Sequence, residues 1–212
     1  MSEIVIVGIT GGTGSGKSTI ASLLCQKYFP DKSVIIDQDS YYTDRSHLPV
    51  IERGKCNFDE PDTIDFNLLI KHLTQLRSGL PILKPVYCFK EHVRKSETVV
   101  VPPTKIVVVE GMFILCDPEV RSCFNVKVFV DAPADIRFVR RIQRDIKERG
   151  RDIDSVITQY LATVKPMHDL HVEPIKSYAD LIVRNVDAIE LNEHLVSIIA
   201  GHITRVCGGW LR

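Results

Sequence analysis

The sequence predicts an α/β domain: a five-stranded parallel sheet flanked by helices on both faces, with a β-hairpin inserted beside it. Three observations predict it. Short β-branched runs alternate with helix-like segments along the chain. The runs are apolar at nearly every position rather than at alternate ones, the pattern of strands buried on both faces. A glycine-rich turn joins the first run to the first helical segment, the setting of a phosphate-binding loop.

The elements follow in order. Residues 4–9 form the first expected strand, and 17–28 the helix after the glycine-rich turn. A second strand is expected at 33–36 and a helix at 66–77, with Asp65 as N-cap and Gly79 just past the end. Residues 83–101 alternate polar with apolar or aromatic side chains and read as the hairpin. It is either a surface hairpin with Tyr87 and Phe89 packed down, or a flap over a ligand. Further strands are expected at 106–109, 126–130 and 181–183. Helices are expected at 134–148, ending at Gly150, at 153–170 with an interruption at Pro166, and at 189–206. The last places Ile189, Val196, Ile199, Ile203 and Val206 on one stripe. One domain over 1–212 is expected, with the hairpin at about 83–101 and an arginine-rich lid at about 137–155.

Composition removes several function classes. The 27 Lys and Arg balance the 27 Asp and Glu, which argues against binding nucleic acid through bulk charge. The longest apolar runs fall far short of the roughly 18–20 residues of a membrane span. Glu3, with no basic residue before the first apolar run, does not suit a signal peptide. The six cysteines, Cys25, Cys56, Cys88, Cys116, Cys123 and Cys207, contain no CxxC pair, so reduced thiols in the cytoplasm are expected. His168 and His171 have the spacing of one helical face, but no third ligand is near, and they read as a surface or packing pair. The tail around Trp210 is expected to fray, or to dock on a neighbour.

Gly11-Gly12-Thr13-Gly14-Ser15-Gly16-Lys17-Ser18 fits G-x-x-x-x-G-K-[ST], followed by Thr19. Glycines let successive N–H groups converge on phosphate oxygens without Cβ clashes, and the helix N-terminus adds partial positive charge. Lys17 supplies a full charge for the β- and γ-phosphates, and the Ser18 hydroxyl suits Mg²⁺. A second acid is needed for the metal's water shell. Glu110 ends the run IVVVE, and is read either as that acid or as the cap of a turn.

Two classes of nucleotide protein then remain, a small-molecule kinase and a nucleotide-driven switch or motor. N-K-x-D and D-x-x-G, which a GTPase switch needs, are absent. Asp39 follows the second strand and is a candidate base for an acceptor hydroxyl, with an Asx-turn as its plainer reading. Arg137, Arg141 and Arg144 share a helical face. Together with Arg140, Arg149 and Arg151 they read as a lid that closes on phosphate. The alternatives are a solvated helix with Arg141–Asp145 and Arg144–Glu148 ion pairs, or an RNA-binding face.

At this point the chain resembles the uridine/cytidine kinase family. GITGGTGSGKST, QDSYY, NFDEPDTIDF, PVYCFKEHVR, VVVEG, RRIQRDIKERGRD, Gln159-Tyr160 and KSYADLIV stand in that family's order and spacing. The resemblance implies a P-loop kinase fold, and transfer of phosphate from ATP, with Mg²⁺, to the 5′-hydroxyl of uridine or cytidine. It implies Asp39 as general base, Tyr42 lining the nucleoside pocket, and Phe58 and Asp59 at the ribose. It implies Tyr87, Phe89 and His92 at the pyrimidine, and Arg141, Arg151 and Gln159 toward the nucleoside or its acceptor end. Arg144 and Arg149 would meet ATP phosphates beside the Gly11–Thr19 loop, with Mg²⁺ on Ser18 and Glu110. A homotetramer in the cytoplasm is implied too, with no nucleic-acid or membrane partner. Related phosphoribulokinase-like and pantothenate kinase-like enzymes are the alternatives. Two residues depart from the family's commoner pattern: Cys88 stands where an acid is usual, and Glu60 where a histidine often precedes the proline.

Overall fold

A computed structural model describes residues 4–53, 56–186 and 189–207, the side chains of 50 and 189–192 excepted. Trp210 and the rest of the tail after Cys207 lie outside the described residues. The chain runs β1 (Val5–Thr10), α1 (Lys17–Leu23), β2 (Ser33–Asp37), α2 (Val50–Arg53) and α3 (Phe66–Arg77). The hairpin follows as β3 (Ile82–Cys88) and β4 (Val93–Val101), then β5 (Ile106–Glu110), α4 (Pro118–Ser122), β6 (Val126–Asp131) and α5 (Ala134–Arg149). The last elements are α6 (Ile153–Gln159), α7 (Lys165–Met167), β7 (Leu181–Arg184) and α8 (Ile189–Val206).

The main sheet has the order β2-β5-β1-β6-β7, and every pairing in it is parallel. Every strand runs one residue beyond its apolar run. The added residues are Thr10, Asp37, Glu110, Asp131 and Arg184, all polar. Ladder hydrogen bonds ignore side-chain type, so pairing continues one step past the hydrophobic pattern. That step puts polar groups along the carboxyl edge of the sheet, where open α/β sheets bind ligands.

Both sheet faces are covered. Val5, Val7 and Ile9 pack with Ile20 and Leu24 on one side, under Val196, Ile199 and Ile203 of α8. Ile6, Val107, Val109 and Phe129 pack on the other side with Leu69, Leu73 and Leu76 of α3. The stripe on α8 therefore holds in its centre. It fails at Val206, which is half exposed, because the helix end runs past the sheet that would cover it. The side chain of Ile189 lies outside the described residues.

The expected interruption at Pro166 does not occur. The helical path continues from α6 through a wider π turn (Tyr160–Val164), α7 and a second π turn (His168–Val172). A proline removes one N–H and crowds the carbonyl four residues back; widened turns on either side give that carbonyl room. The hairpin forms its own two-stranded sheet, with Leu83 opposite Val100 and an irregularity between Pro85 and Tyr87, where proline cannot donate to the ladder.

Candidate active site

The phosphate loop leaves β1 and enters α1 through three glycines at positive φ, Gly11 at 149°, Gly14 at 74° and Gly16 at 91°. Any side chain would be strained there, and a Cβ on Gly14 would stand 2.2 Å from the carbonyl oxygen of Arg137. The loop thus lies directly on α5. Ser15 N–H donates to the Gly12 carbonyl at 3.1 Å, and Asn185, just after β7, donates its amide to the Ser15 carbonyl at 2.8 Å. A cleft of about 410 Å³ opens between this loop, the start of α1 and one side of α5; Lys17, Ser18 and Thr19 line it from below, Arg140, Gln143 and Arg144 from above.

Ser18 Oγ donates to Oε1 of Glu110 at 3.0 Å, which joins the loop to the end of β5. Burial pushes the Glu110 carboxyl above the usual carboxylate range, and the Lys17 ammonium pulls it back. Two hard oxygens side by side, one of them a poorly solvated carboxylate, suit a magnesium ion whose other ligands are water and phosphate. Among the described residues no group of three His, Cys, Asp or Glu could hold a metal by itself, so a cage of protein ligands is not what this corner builds.

Asp37 ends β2 and caps the following turn: the Ser40 N–H donates to its Oδ2 at 3.1 Å. Lys84 of β3 pairs with Asp37 and donates to Ser40 Oγ at 3.0 Å. Gln38 turns into the core, where its Oε1 accepts from the Phe113 N–H at 2.7 Å. Gly111 makes room for it, since a Cβ there would stand 2.3 Å from that of Gln38. With its neighbours so held, Asp39 sits half-buried at the carboxyl edge of the sheet. Burial raises its pKa, while Lys17, Arg149 and Arg144 oppose the rise, in that order.

Beside Asp39 an aromatic recess is formed from four segments. The Tyr42 ring lies 5.1 Å from Tyr87 and 5.6 Å from Phe58, and its hydroxyl donates to the Phe58 carbonyl at 3.3 Å. Burial raises the Tyr42 phenol well above its ordinary value, with Asp39 and Asp59 adding to the rise. His92 stacks on Phe58 at 4.8 Å and 16°, and Phe89 meets Tyr87 edge-on at 5.5 Å. His92 takes a φ of 53°, as the last residue of the hairpin turn, and burial lowers its pKa. Asp59 is buried; Thr163 donates to its Oδ2 at 2.9 Å, and its N–H donates to Asn57 Oδ1 at 3.0 Å. Asn57 in turn donates to the unusual Glu60 at 2.7 Å. Cys88 is half-buried, pairs with Val93 at the end of the hairpin, and is free.

The arginines divide. Arg137 and Arg141 are buried, which rules out the solvated-helix reading for that face. Arg137 Nε donates to the Ala132 carbonyl at 3.0 Å, and Arg141 donates to Thr13 Oγ1 at 3.3 Å and to Gln159 Oε1 at 2.9 Å. Arg151 donates to the same Gln159 oxygen and to Ser155 Oγ at 2.7 Å. Arg144 does not take Glu148, as its spacing suggests, but binds Asp145 through Nε at 3.0 Å and Nη2 at 2.8 Å. The buried carboxylate of Asp145 outbids an exposed one because water competes less there. Arg149 lies over Phe89, 5.5 Å from the ring centre. His168 packs behind the phosphate loop, where burial pushes its pKa down to about 4, and the His171 ring meets Phe113 edge-on at 6.5 Å. The pair is packed, in keeping with its sequence.

The structure therefore brings Lys17, Ser18, Glu110 and Asp39 to one edge of the sheet, with Arg144 and Arg149 near, and Tyr42, Phe58, Asp59, Tyr87, Phe89 and His92 to the adjoining recess. Sequence reasoning missed Asn57, Thr163 and Asn185. Of these only Thr163 carried a signal, one helical turn beyond Gln159.

Comparison with known proteins agrees. The sequence profile of the phosphoribulokinase/uridine kinase family matches residues 6–192. A uridine kinase of Clostridium tetani is 47% identical over 202 residues, 95% of each chain. A uridine kinase of Clostridium novyi is 52% identical over 183 residues, covering 86% of this chain and 88% of that one. Among solved structures, D-glycerate 3-kinase from Cryptococcus neoformans superposes with a TM-score of 0.68 at 17% identity, covering 90% of this chain and 88% of that one. Shikimate kinase from Bacteroides thetaiotaomicron gives 0.54 at 18% identity, covering 94% and 98%. At such identities the structures speak for the P-loop kinase fold alone.

Proposed function

The chain belongs to the phosphoribulokinase/uridine kinase family, and we propose that it transfers the γ-phosphoryl group of ATP to the 5′-hydroxyl of uridine or cytidine. The observation that carries this reading is the setting of Asp39. It stands between the phosphate cleft and the aromatic recess, within the electrostatic reach of Lys17, Arg149 and Arg144.

In the reaction a bond forms from the ribose 5′-oxygen to the γ-phosphorus, and the bond from that phosphorus to the β,γ-bridging oxygen breaks. ADP leaves, and the hydroxyl proton passes to Asp39 Oδ. Phosphoryl transfer has a loose transition state, so placement and charge stabilisation do most of the work. Lys17, Arg144 and Arg149 stabilise charge on the transferred group and on the departing ADP. Ser18 and Glu110 would hold Mg²⁺, which would supply positive charge to offset that of the triphosphate. Asp59, held by Thr163, accepts from the ribose hydroxyls, which favours a ribonucleoside over a deoxynucleoside. Tyr87, Phe89 and His92 stack on and read the pyrimidine. Neutral histidine can donate or accept, so it can face either a 4-oxo or a 4-amino group. Arg141, Arg151 and Gln159 border the acceptor side.

Among the described residues no helix is long and apolar enough to cross a membrane. Cys25, Cys56, Cys88, Cys116 and Cys123 stand outside any disulfide, which supports a reducing, cytoplasmic setting. The balanced charge supports a reading with no nucleic-acid or membrane partner. Assembly as a homotetramer belongs to the same proposal; Leu83 and Val100, cross-strand neighbours 59% and 65% exposed, offer apolar surface for it.

The test is ADP release with Mg·ATP across a nucleoside panel, for the wild type and Asp39→Asn. Uridine and cytidine should be turned over, and the variant should lose about 100-fold or more in kcat while still binding nucleoside. Turnover by the variant near the wild-type rate would remove Asp39 as the base. ATP hydrolysis with no acceptor would point to a switch, and phosphorylation of a sugar phosphate to another branch of the family.

A further inference from the structure

Asp145 lies one turn before the C-terminal end of α5, and its side chain is wholly buried. A buried carboxylate is costly unless it is paired. Four guanidinium groups converge on it. Arg144 binds Oδ1 through Nε at 3.0 Å and Nη2 at 2.8 Å. Arg149 Nη1 stands 3.4 Å from the same oxygen. Arg141 Nε and Arg151 Nη1 lie 3.5 Å and 3.9 Å from Oδ2. Neither Oδ2 nor Arg141 Nε makes a hydrogen bond. The carboxylate is thus held firmly by one arginine and loosely by three.

Each of the four has a second attachment elsewhere in the site. Arg141 reaches the phosphate loop at Thr13, Arg151 shares Gln159 with it, Arg149 lies over the hairpin residue Phe89, and Arg144 lines the cleft. One carboxylate cannot neutralise four guanidiniums, so most of the positive charge stays available to an incoming anion. Without that carboxylate, like charges this close would spread into solvent. The planar fork that grips a carboxylate also fits a phosphate, so the two can be exchanged without a new geometry.

We propose that Asp145 is a positioning residue of the lid: it holds Arg144 and Arg149 at the mouth of the cleft, and yields them to the triphosphate when ATP enters. Lid closure is then the exchange of one anion for another. Arg141 and Arg151, tied to Gln159, stay behind to pair with Asp145. The inference rests on the phosphotransfer reading above for its kinetic arm only.

The test uses the full chain. Asp145→Asn keeps size and removes charge. It should lower kcat for uridine phosphorylation at least 10-fold while the uridine KM stays within 3-fold. In an Arg144→Ala, Arg149→Ala background the same change should cost no more than 3-fold further, because the residues it acts through are gone. An equal loss in both backgrounds would show a merely structural role and overturn the proposal, as would a variant within 2-fold of wild type. Should Asp145→Asn not fold, the wild type still decides. The Nε–H resonance of Arg144, assigned with Arg144→Lys, must shift when a non-hydrolysable ATP analogue is added; an unchanged resonance at saturation overturns the exchange. A wild type that leaves uridine untouched would refute the assigned reaction, and the resonance test would still judge Asp145.

Discussion

Asp39 and Glu110 are carboxyl groups that burial holds above their ordinary range and Lys17 pulls back. A general base works only when deprotonated. The acid limb of kcat/KM should therefore lie above the ordinary aspartate value of about 3.9, and Asp39→Asn should erase that limb in whatever turnover remains. The stability sign is the reverse of an ordinary surface acid. The folded pKa is raised, so the group's contribution is fully present below the unfolded value and is lost as pH rises through the folded one. At neutral pH, Asp39→Asn should raise Tm by a few degrees, and the gain should vanish in acid as both forms become neutral. A variant that melts below wild type at neutral pH would show that the charge contacts outweigh burial. Lys17, Ser18, Glu110 and Asp39 were legible from loop and strand-end positions, whereas the roles of Tyr42, Phe58, Asp59 and His92 were implied by the family resemblance alone. The residues that steady them were not legible. Thr163 meets Asp59 from 104 residues away, and its place one helical turn beyond Gln159 marks a helix face without naming that partner.

The elements show where local rules suffice. Asp65 caps α3, accepting from the Leu68 N–H at 3.0 Å, as the sequence led one to expect. The same carboxylate receives Arg94 of the hairpin at 3.3 Å, while Arg94 also donates to the Tyr42 carbonyl at 2.9 Å. Asp65 thus ties the hairpin to the turn that carries Asp39. Asp65→Ala should cost about 1–2 kcal/mol, a Tm drop of roughly 2–8 °C, and should raise the nucleoside KM more than the ATP KM. A drop in Tm with both KM values unmoved would confine Asp65 to capping. Helix 66–77 was readable residue for residue because cap, apolar stripe and C-terminal glycine agree. The path through Pro166 was not, since π turns are set by packing around the proline, with no composition of their own.

Across the molecule, Arg149 on Phe89 is where lid and hairpin meet, at 5.5 Å. One side belongs to the phosphate cleft and the other to the aromatic recess, so occupancy of either should favour the other, by the same factor in both directions. In wild type, uridine should tighten binding of a non-hydrolysable ATP analogue, measured by calorimetry. Phe89→Ala should shrink that factor toward one while leaving analogue affinity without uridine within 2-fold. An unchanged factor would place the coupling elsewhere.

The sequence by itself determined the class of fold, the phosphate loop and the acids at the strand ends. Hydrophobic periodicity, glycine conformations and the oxygen chemistry of magnesium are local and leave marks in neighbouring residues. Tertiary structure alone decided that four arginines turn inward on one buried carboxylate, and that one of them passes over the evenly spaced Glu148 to do so. The strength of a charge pair depends on how much water surrounds it, and only the packed chain decides which carboxylate is dry.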